Sequence, residues 1–493
     1  MQNLDENQKI AVECVDNCVV SAGAGSGKTT VLSHRFLYLV EKGFANCDEI
    51  LTLTFTKKAA SEMYERIYKK LLQQNSKKQI EKFSDATICT FDSFCSQILK
   101  EDCIKYGLSQ DFSIADSDED SRFLLNFCQQ VFQEYSTNSS VKFMSQIYSP
   151  SNLKAFFNSF GNNYLYLARE IDTSFQKASV KELFKKIMEK NTEEFCNISN
   201  NILEELKTPE HLEAVKKGLA LIEEESLQNL GEFLDNVTID GRKERGKKEI
   251  LDEYRESVKN LSSCIKILQN EEVYLGIYPI LKEIENKYFS YKRSTGNLTF
   301  SDVSSLALDI LKTNIKMRNF YKNRYKFIMV DEFQDNNSLQ KKMLYLLGEE
   351  DKKQGLSDIE VKDLNPRKLF FVGDEKQSIY RFRKADVSVF KALKNELTSI
   401  GGKNVELKRN YRTEPKLIND FNFIFERVMQ NDGEKYEADF EKLETRKENE
   451  KLKPSFTLCI KPKPDKDSEK DEDEAIKEDA EAYFVASLIE RMV

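Results

Sequence analysis

Gly23, Gly25 and Gly27 alternate with small residues just before a lysine and two threonines, in the stretch AGAGSGKTT (22–30). Glycines so placed let the backbone curl until several N–H groups point at one anion. The stretch follows a short apolar run and precedes a helical pattern, so a helix N-terminus adds its dipole at the same spot. Lys28 then reaches the β- and γ-phosphates of a nucleotide, and Thr29 offers a hydroxyl to Mg²⁺. Ala24, Ser26 and Thr30 complete the loop, and Ala22 stands where the common pattern has glycine. Such a loop needs a carboxylate at the end of another strand, and FIMVDEFQD (327–335) supplies it. Asp331 would hold Mg²⁺, and Glu332 would orient or deprotonate the attacking water. Alone, DEFQD reads more readily as an acidic loop capping a helix. With the phosphate loop in the same chain, the two make an NTPase.

A third stretch, GDEKQSIYRFRKADV (373–387), alternates rings with guanidinium groups: Tyr380, Arg381, Phe382, Arg383. Such an alternation can stack along a nucleic-acid strand, or it can form a plain surface turn. Phe55 ends another apolar run, with Lys57 and Lys58 close behind. From Thr54 to Gln79, seven Lys/Arg (57, 58, 66, 69, 70, 77, 78) stand against two Glu (62, 65), a local +5. Charge alone does not decide whether this patch faces phosphate or is a solvated helix face.

Composition bounds the rest. A chain of 493 residues exceeds one simple core, so roughly two to four domains are expected. Hydrophobic content of 40% with 32% charged residues describes a soluble, charge-rich, helical protein. No apolar run approaches the roughly 20 residues of a membrane span. The start, MQNLDENQKI, is unlike a signal peptide, so the expected location is cytoplasmic, with no membrane partner. Ten cysteines include no C-x-x-C pair, and the histidines are His34 and His211. Zinc-ribbon and iron–sulfur spacings are therefore excluded, and histidine catalysis has almost no candidate. Cys14/Cys18 and Cys89/Cys95 flank apolar runs and read as reduced core thiols. A net charge of −8 argues against a protein coated with DNA-binding surface.

Six apolar runs read as buried parallel strands: CVVSA (18–22), ILTLTF (50–55), TICTF (87–91), FIMV (327–330), KLFFVG (368–373) and NVEL (404–407). Helical patterns between them give the signature of a doubly wound α/β sheet, whose ligands bind at the carboxyl ends of the strands. Roughly from Glu119 to Lys316 the pattern is mostly helical, too long for a crossover, and reads as an inserted helical domain. Ser179 and Glu182 are spaced as a capping box that opens a helix there. Residues 461–474 are proline-containing and charge-dense, and Asp465–Glu481 holds ten acids against three lysines, a local −7. That segment reads as a linker or exposed loop. Helical periodicity returns from Ala475 to Val493, which suggests a packing partner beyond the last residue.

DEFQD, GDEKQSIYRFR and LKRNYRTEP (407–415) together resemble the superfamily 1 helicases of the UvrD/RecB type, and GDEKQSIYRFRKADVSVF is most similar to the RecB/AddA branch. LDENQKIAV (4–12), AGAGSGKTT, ILTLTFTKKAASEM (50–63) and ATICTFDSFCSQIL (86–99) precede them in family order. The resemblance implies a phosphate-loop, RecA-like parallel sheet domain with a large inserted helical subdomain and the start of a second motor domain. It divides the chain into 1–110 (first part of domain 1A), 111–316 (subdomain 1B), 317–400 (second part of 1A) and 401–493 (the incomplete second motor domain). It implies ATP and Mg²⁺ as cofactors, single-stranded or duplex DNA as substrate, and a second subunit of an exonuclease V-like complex as partner. Gln8 matches the family's adenine-reading glutamine, and Tyr411 offers a ring for the adenine. Arg412 matches the arginine that reaches the γ-phosphate, Gln377 the γ-phosphate sensor, and Arg35 lines the same pocket. Tyr380, Phe382 and Arg383 match the single-strand path, with Phe55 stacking on a base and Lys57 and Lys58 neutralising phosphates.

Three positions depart from the pattern. Asp92 stands where many relatives carry histidine, which puts a DNA contact there in doubt. Lys384 replaces a common glycine. Phe382 replaces the tryptophan of the UvrD branch and keeps the ring. Nothing after Tyr436 matches the family's later motifs or its nuclease domain, so the chain is expected to be an N-terminal part or a short relative, weak or inactive in unwinding alone. The first hypothesis is an ATP-dependent helicase or translocase, 3′→5′ by resemblance. A non-motor nucleotide- and DNA-binding scaffold and an unrelated phosphate-loop NTPase stay open, and the aromatic–arginine run speaks against the last.

Overall fold

The computed structural model describes residues 4–446, apart from 75, 116, 166, 168–176, 225, 241–243, 245–246, 352–358, 382–384, 430–437 and 439, together with 482, 485–487 and 489–490. The charged segment 461–474 lies outside the described residues, as does most of the expected terminal helix.

All six apolar runs form strands, at Cys18–Ala22 (β1), Ile50–Thr54 (β2), Thr87–Thr90 (β3), Phe327–Val330 (β6), Leu369–Gly373 (β7) and Lys403–Leu407 (β8). They make one sheet in the order β3-β2-β6-β7-β1-β8, and every pairing is parallel. Parallel strands buried on both faces need apolar side chains in both directions, which is why these runs are apolar throughout. Alternation then sorts them. Val19, Leu51, Leu53, Ile328, Val330, Leu369 and Phe371 enter one core. Cys18, Val20, Ile50, Met329, Phe370 and Val372 enter the other. Helices Glu6–Glu13, Lys28–Glu41 and Lys57–Gln73 cover the second face. Helices Phe91–Asp102, Phe300–Thr313, Ser338–Gly348 and Val387–Ser399 cover the first. Cys18 and Cys95 are buried, and Cys14 and Cys89 are half-buried, all as free thiols.

β8 shows that a sequence division at residue 400 falls early for this sheet. Its residues pair with β1 in register, Cys18 with Lys403 through to Ala22 with Leu407. The edge of β1 would otherwise carry unpaired backbone groups, and β8 satisfies them.

Among the described residues between β3 and β6 the elements are helices, apart from two short strands, Ser113–Ile114 (β4) and Asn297–Leu298 (β5), which pair in parallel. Too short to leave a sequence signal, they pin the entry of the helical block to its exit. The helix expected to open at Ser179 begins earlier, at Lys177, and runs to Glu205. Phe195, Ile202, Val215, Leu230, Leu261 and Ile265 form a separate core in this block. The remainder of the block shares the core of the sheet, through Leu124, Cys128, Val131 and Tyr288.

A buried ion pair locks that junction. Lys292, 2% exposed, donates to Asp302 and lies 3.2 Å from Asp120, whose other oxygen accepts from the Tyr288 hydroxyl. Asp302 also completes the capping box of the Phe300–Thr313 helix, where its carboxylate accepts from the N–H of the N-cap Thr299. Asp302→Ala strips the buried ammonium of its nearest partner and removes the reciprocal half of the capping box, so it should destabilise the chain by about 3–5 kcal/mol. A lowered urea midpoint is the expected reading.

Candidate active site

The carboxyl ends of β1, β6, β7 and β8 lie side by side, and each is followed by a polar loop. β1 runs directly into the glycine loop. Gly25 (φ 68°) and Gly27 (φ 91°) adopt left-handed backbone, which a side chain would strain. Gly27 stands at the N-cap of helix Lys28–Glu41 and offers no side-chain cap, so the first N–H groups of the helix stay free for an anion. Thr29 and Thr30 are half-buried in the first turn, Ala24 is exposed, and Ser26 is buried.

Lys28 is the centre of the site. Its ammonium donates to Glu332 Oε2 at 2.8 Å and to Gln377 Oε1 at 3.1 Å. Gln334 Nε2 donates to the same Glu332 oxygen at 2.8 Å, and Gln334 Oε1 accepts from the Asp374 N–H at 2.9 Å. Gln377 Nε2 donates to Asp374 Oδ2 at 2.8 Å and closes the ring. The structure thus joins Lys28, Glu332 and Gln377 and adds Gln334 and Asp374, which sequence reasoning passed over. Glu332 is the one non-glycine among the described residues with positive φ, at 50°. Left-handed backbone costs about 1–2 kcal/mol there, and such strain clusters at working sites.

Asp331 is buried at the end of β6. Burial first, then the charge of Glu332, pushes its carboxyl up to about 7, against the pull of Lys28. Asp335 is raised to about 7 for the same reasons, and its Oδ1 is buried without a hydrogen-bond partner among the described residues. Three crowded carboxylates and the Thr29 hydroxyl are hard oxygen donors, and a divalent cation would offset their repulsion. The residues fit Mg²⁺.

Gln8 and Tyr411 both bond to the loop and are linked to one another through Asp5. Gln8 is buried, donates through Nε2 to Ser26 O at 2.8 Å, and forms a reciprocal capping box with Asp5. The Tyr411 hydroxyl donates to Asp5 Oδ2 at 2.5 Å, and the residue is 39% exposed. Asp5 was missed, although its spacing from Gln8 is a capping-box signal. Arg412 is exposed beside Tyr411.

Arg35 needs a correction. It is 2% exposed, donates to the carbonyls of Ala11, Val12 and Cys14, and stacks 4.1 Å over the Phe370 ring. Burial lowers its guanidinium to about 10. It braces the end of helix Glu6–Glu13 behind the site and does not line the nucleotide pocket.

Phe55, after β2, and Tyr380, after β7, meet with ring centroids 4.7 Å apart at 34°. Lys57 and Lys58 are exposed at the start of the next helix, with Lys58 3.9 Å from Glu62. Phe382, Arg383 and Lys384 lie outside the described residues.

Residues 4–398 match the UvrD/REP helicase N-terminal domain, and the chain belongs to that family. Among curated proteins it is similar to one subunit of the ATP-dependent helicase/nuclease of Clostridium acetobutylicum, with 28% identity over 90% of this chain and 41% of the relative. Its namesake from Streptococcus sanguinis is 27% identical, over 88% and 40%. The exonuclease/helicase subunit RexA of Streptococcus pneumoniae is 26% identical, over 87% and 40%. The chain spans about two fifths of the length of these relatives.

The carboxyl of Asp331 holds its proton up to about pH 7 in the folded chain, against 3.8 ordinarily. Between those values the folded state binds more protons, so stability falls as pH rises through the window. In metal-free buffer, Asp331→Asn should flatten the pH dependence of the thermal midpoint between about pH 5 and 7.5 and melt higher than the parent chain at the upper end.

Proposed function

We propose that this chain is the ATP-hydrolysing motor portion of a DNA helicase of the AddA/RexA helicase/nuclease type. In this reading it drives 3′→5′ movement along single-stranded DNA within a repair and recombination enzyme. The observation that carries it is the ring through Lys28, Glu332 and Gln377, with the Phe55–Tyr380 ring pair three residues beyond Gln377. Residues 1–110 and 317–407 form the RecA-like domain 1A, 111–316 the inserted subdomain 1B, and the second motor domain begins after β8.

The phosphates of ATP displace Glu332 and Gln377 from the Lys28 ammonium, because a polyphosphate is the stronger partner for that cation. Glu332, so released, accepts a proton from the attacking water. Gln377 turns its amide to the γ-phosphate, and Arg412 steadies the charge that develops there. Gln8 keeps a second amide hydrogen for the adenine edge, and the Tyr411 ring is exposed for stacking. Thr29 and Asp331 would hold Mg²⁺, which would neutralise charge on the phosphate oxygens. On the DNA side, bases stack against Phe55 and Tyr380 while Lys57 and Lys58 offset phosphate charge.

Tyr411 and Arg412 are exposed, which suits a site that closes against a second motor domain. The chain alone is therefore proposed to hydrolyse ATP weakly and not to unwind, and to work with a second subunit of an exonuclease V-like complex.

Lys28→Ala or Glu332→Gln should cut DNA-stimulated ATP turnover by about 100-fold or more, read in a steady-state phosphate-release assay. Both nucleotide and DNA bound without any turnover would point instead to a non-motor scaffold. Phe55→Ala should weaken binding of a labelled oligothymidylate about tenfold, because one base–ring stack is lost. Unchanged affinity would remove the ring pair from the DNA path.

A further inference from the structure

Asn410 lies just past β8, in a stretch where sequence reasoning assigned roles to the two residues that follow it and none to it. It is 3% exposed and uses both ends of its amide. Nδ2 donates to the carbonyl of Ala24, in the phosphate loop, at 2.7 Å. Oδ1 accepts from the backbone N–H groups of Arg412 at 2.9 Å and Thr413 at 2.8 Å. The fit is tight on the loop side: a Cβ added to Gly25 would stand 2.7 Å from Nδ2.

The neighbouring backbone repeats the grip. The Tyr411 N–H donates to Gly25 O at 2.9 Å, so two consecutive loop carbonyls are drawn toward residues 410–411. A trans peptide is planar, with its N–H opposed to its C=O. Drawing the Ala24 carbonyl toward Asn410 therefore turns the Gly25 N–H the other way. Asn410 is itself held from behind, where its N–H donates to Glu444 O at 2.9 Å and Glu444 N–H donates to Lys408 O at 2.9 Å. Leu443, beside Glu444, packs on Gly23 closely enough that a Cβ there would lie 2.5 Å from Cδ2.

We infer that Asn410 is a positioning residue that ties the phosphate loop and Arg412 into one unit, so that the cradle for the β-phosphate and the arginine for the γ-phosphate are set by a single side chain. The inference rests on the nucleotide-site reading above. Asparagine is required because one end must donate and the other accept. A carboxylate keeps the acceptor toward Arg412 and repels the Ala24 carbonyl, whereas alanine keeps neither.

The two halves separate by experiment. Equilibrium affinities for ADP and for a non-hydrolysable ATP analogue, with Mg²⁺, are measured on the full chain and on Asn410→Asp, Asn410→Ala and Arg412→Ala, alongside the unliganded thermal midpoint. Asn410→Asp should bind both nucleotides about tenfold more weakly, at an unchanged ATP-to-ADP ratio. Asn410→Ala should weaken ADP similarly and also lose ATP preference, falling toward the ratio of Arg412→Ala. Both should melt close to the parent chain.

ADP affinity unchanged in both Asn410 variants would overturn the inference. So would weakening that merely tracks a collapsed thermal midpoint. A parent chain that binds neither nucleotide would overturn the site reading itself and the inference with it. An Arg412→Ala variant that keeps the parent ratio would overturn the Arg412 half, and the ADP affinities would then decide the loop half.

Discussion

One ammonium organises this molecule. Lys28 begins the helix after β1, yet its partners come from the ends of β6 and β7. Three strands far apart in sequence must be neighbours in a fixed register for those contacts to form. The order β6-β7-β1 provides that, with Val19 opposite Phe371 and Val330 opposite Phe371 on its other side. The apolar cores on both faces hold the register, because a slip by one residue would turn each strand's side chains to the wrong face.

The same geometry places Gln377 and Tyr380 on one short loop. Gln377 faces the glycine loop, and Tyr380 reaches across to Phe55 at the end of β2. Gln377 is held by Lys28 on one side and Asp374 on the other. A change in what Lys28 binds must therefore be felt by the loop that carries Tyr380. The strained backbone of Glu332 belongs to the same arrangement, since it sits where β6 turns into the ring of contacts.

Much of this was legible in the sequence, for physical reasons. The six strands are short apolar runs bounded by polar loops, and their limits emerged within a residue. The glycine loop and the acidic strand end are local patterns whose chemistry depends on adjacent residues. What escaped depended on tertiary packing. Arg35 follows the loop on the same helix and seemed placed for nucleotide, but it points into the core, toward carbonyls that only the folded chain brings near. Gln334, Asp374, Asp5 and Asn410 work through partners 2 to 406 residues away, and most of the longer separations leave no trace in spacing. β4 and β5 are two residues each, below any periodic signal.

The proposed function makes Gln377 the link between the nucleotide site and the Phe55–Tyr380 ring pair. Its most direct test is the affinity of a labelled single strand measured with and without a non-hydrolysable ATP analogue, in the parent chain and in Gln377→Ala. A coupling between the ligands of about fivefold or more is expected in the parent, and it should vanish in the variant while each ligand still binds alone. Equal coupling in the two proteins would contradict the account.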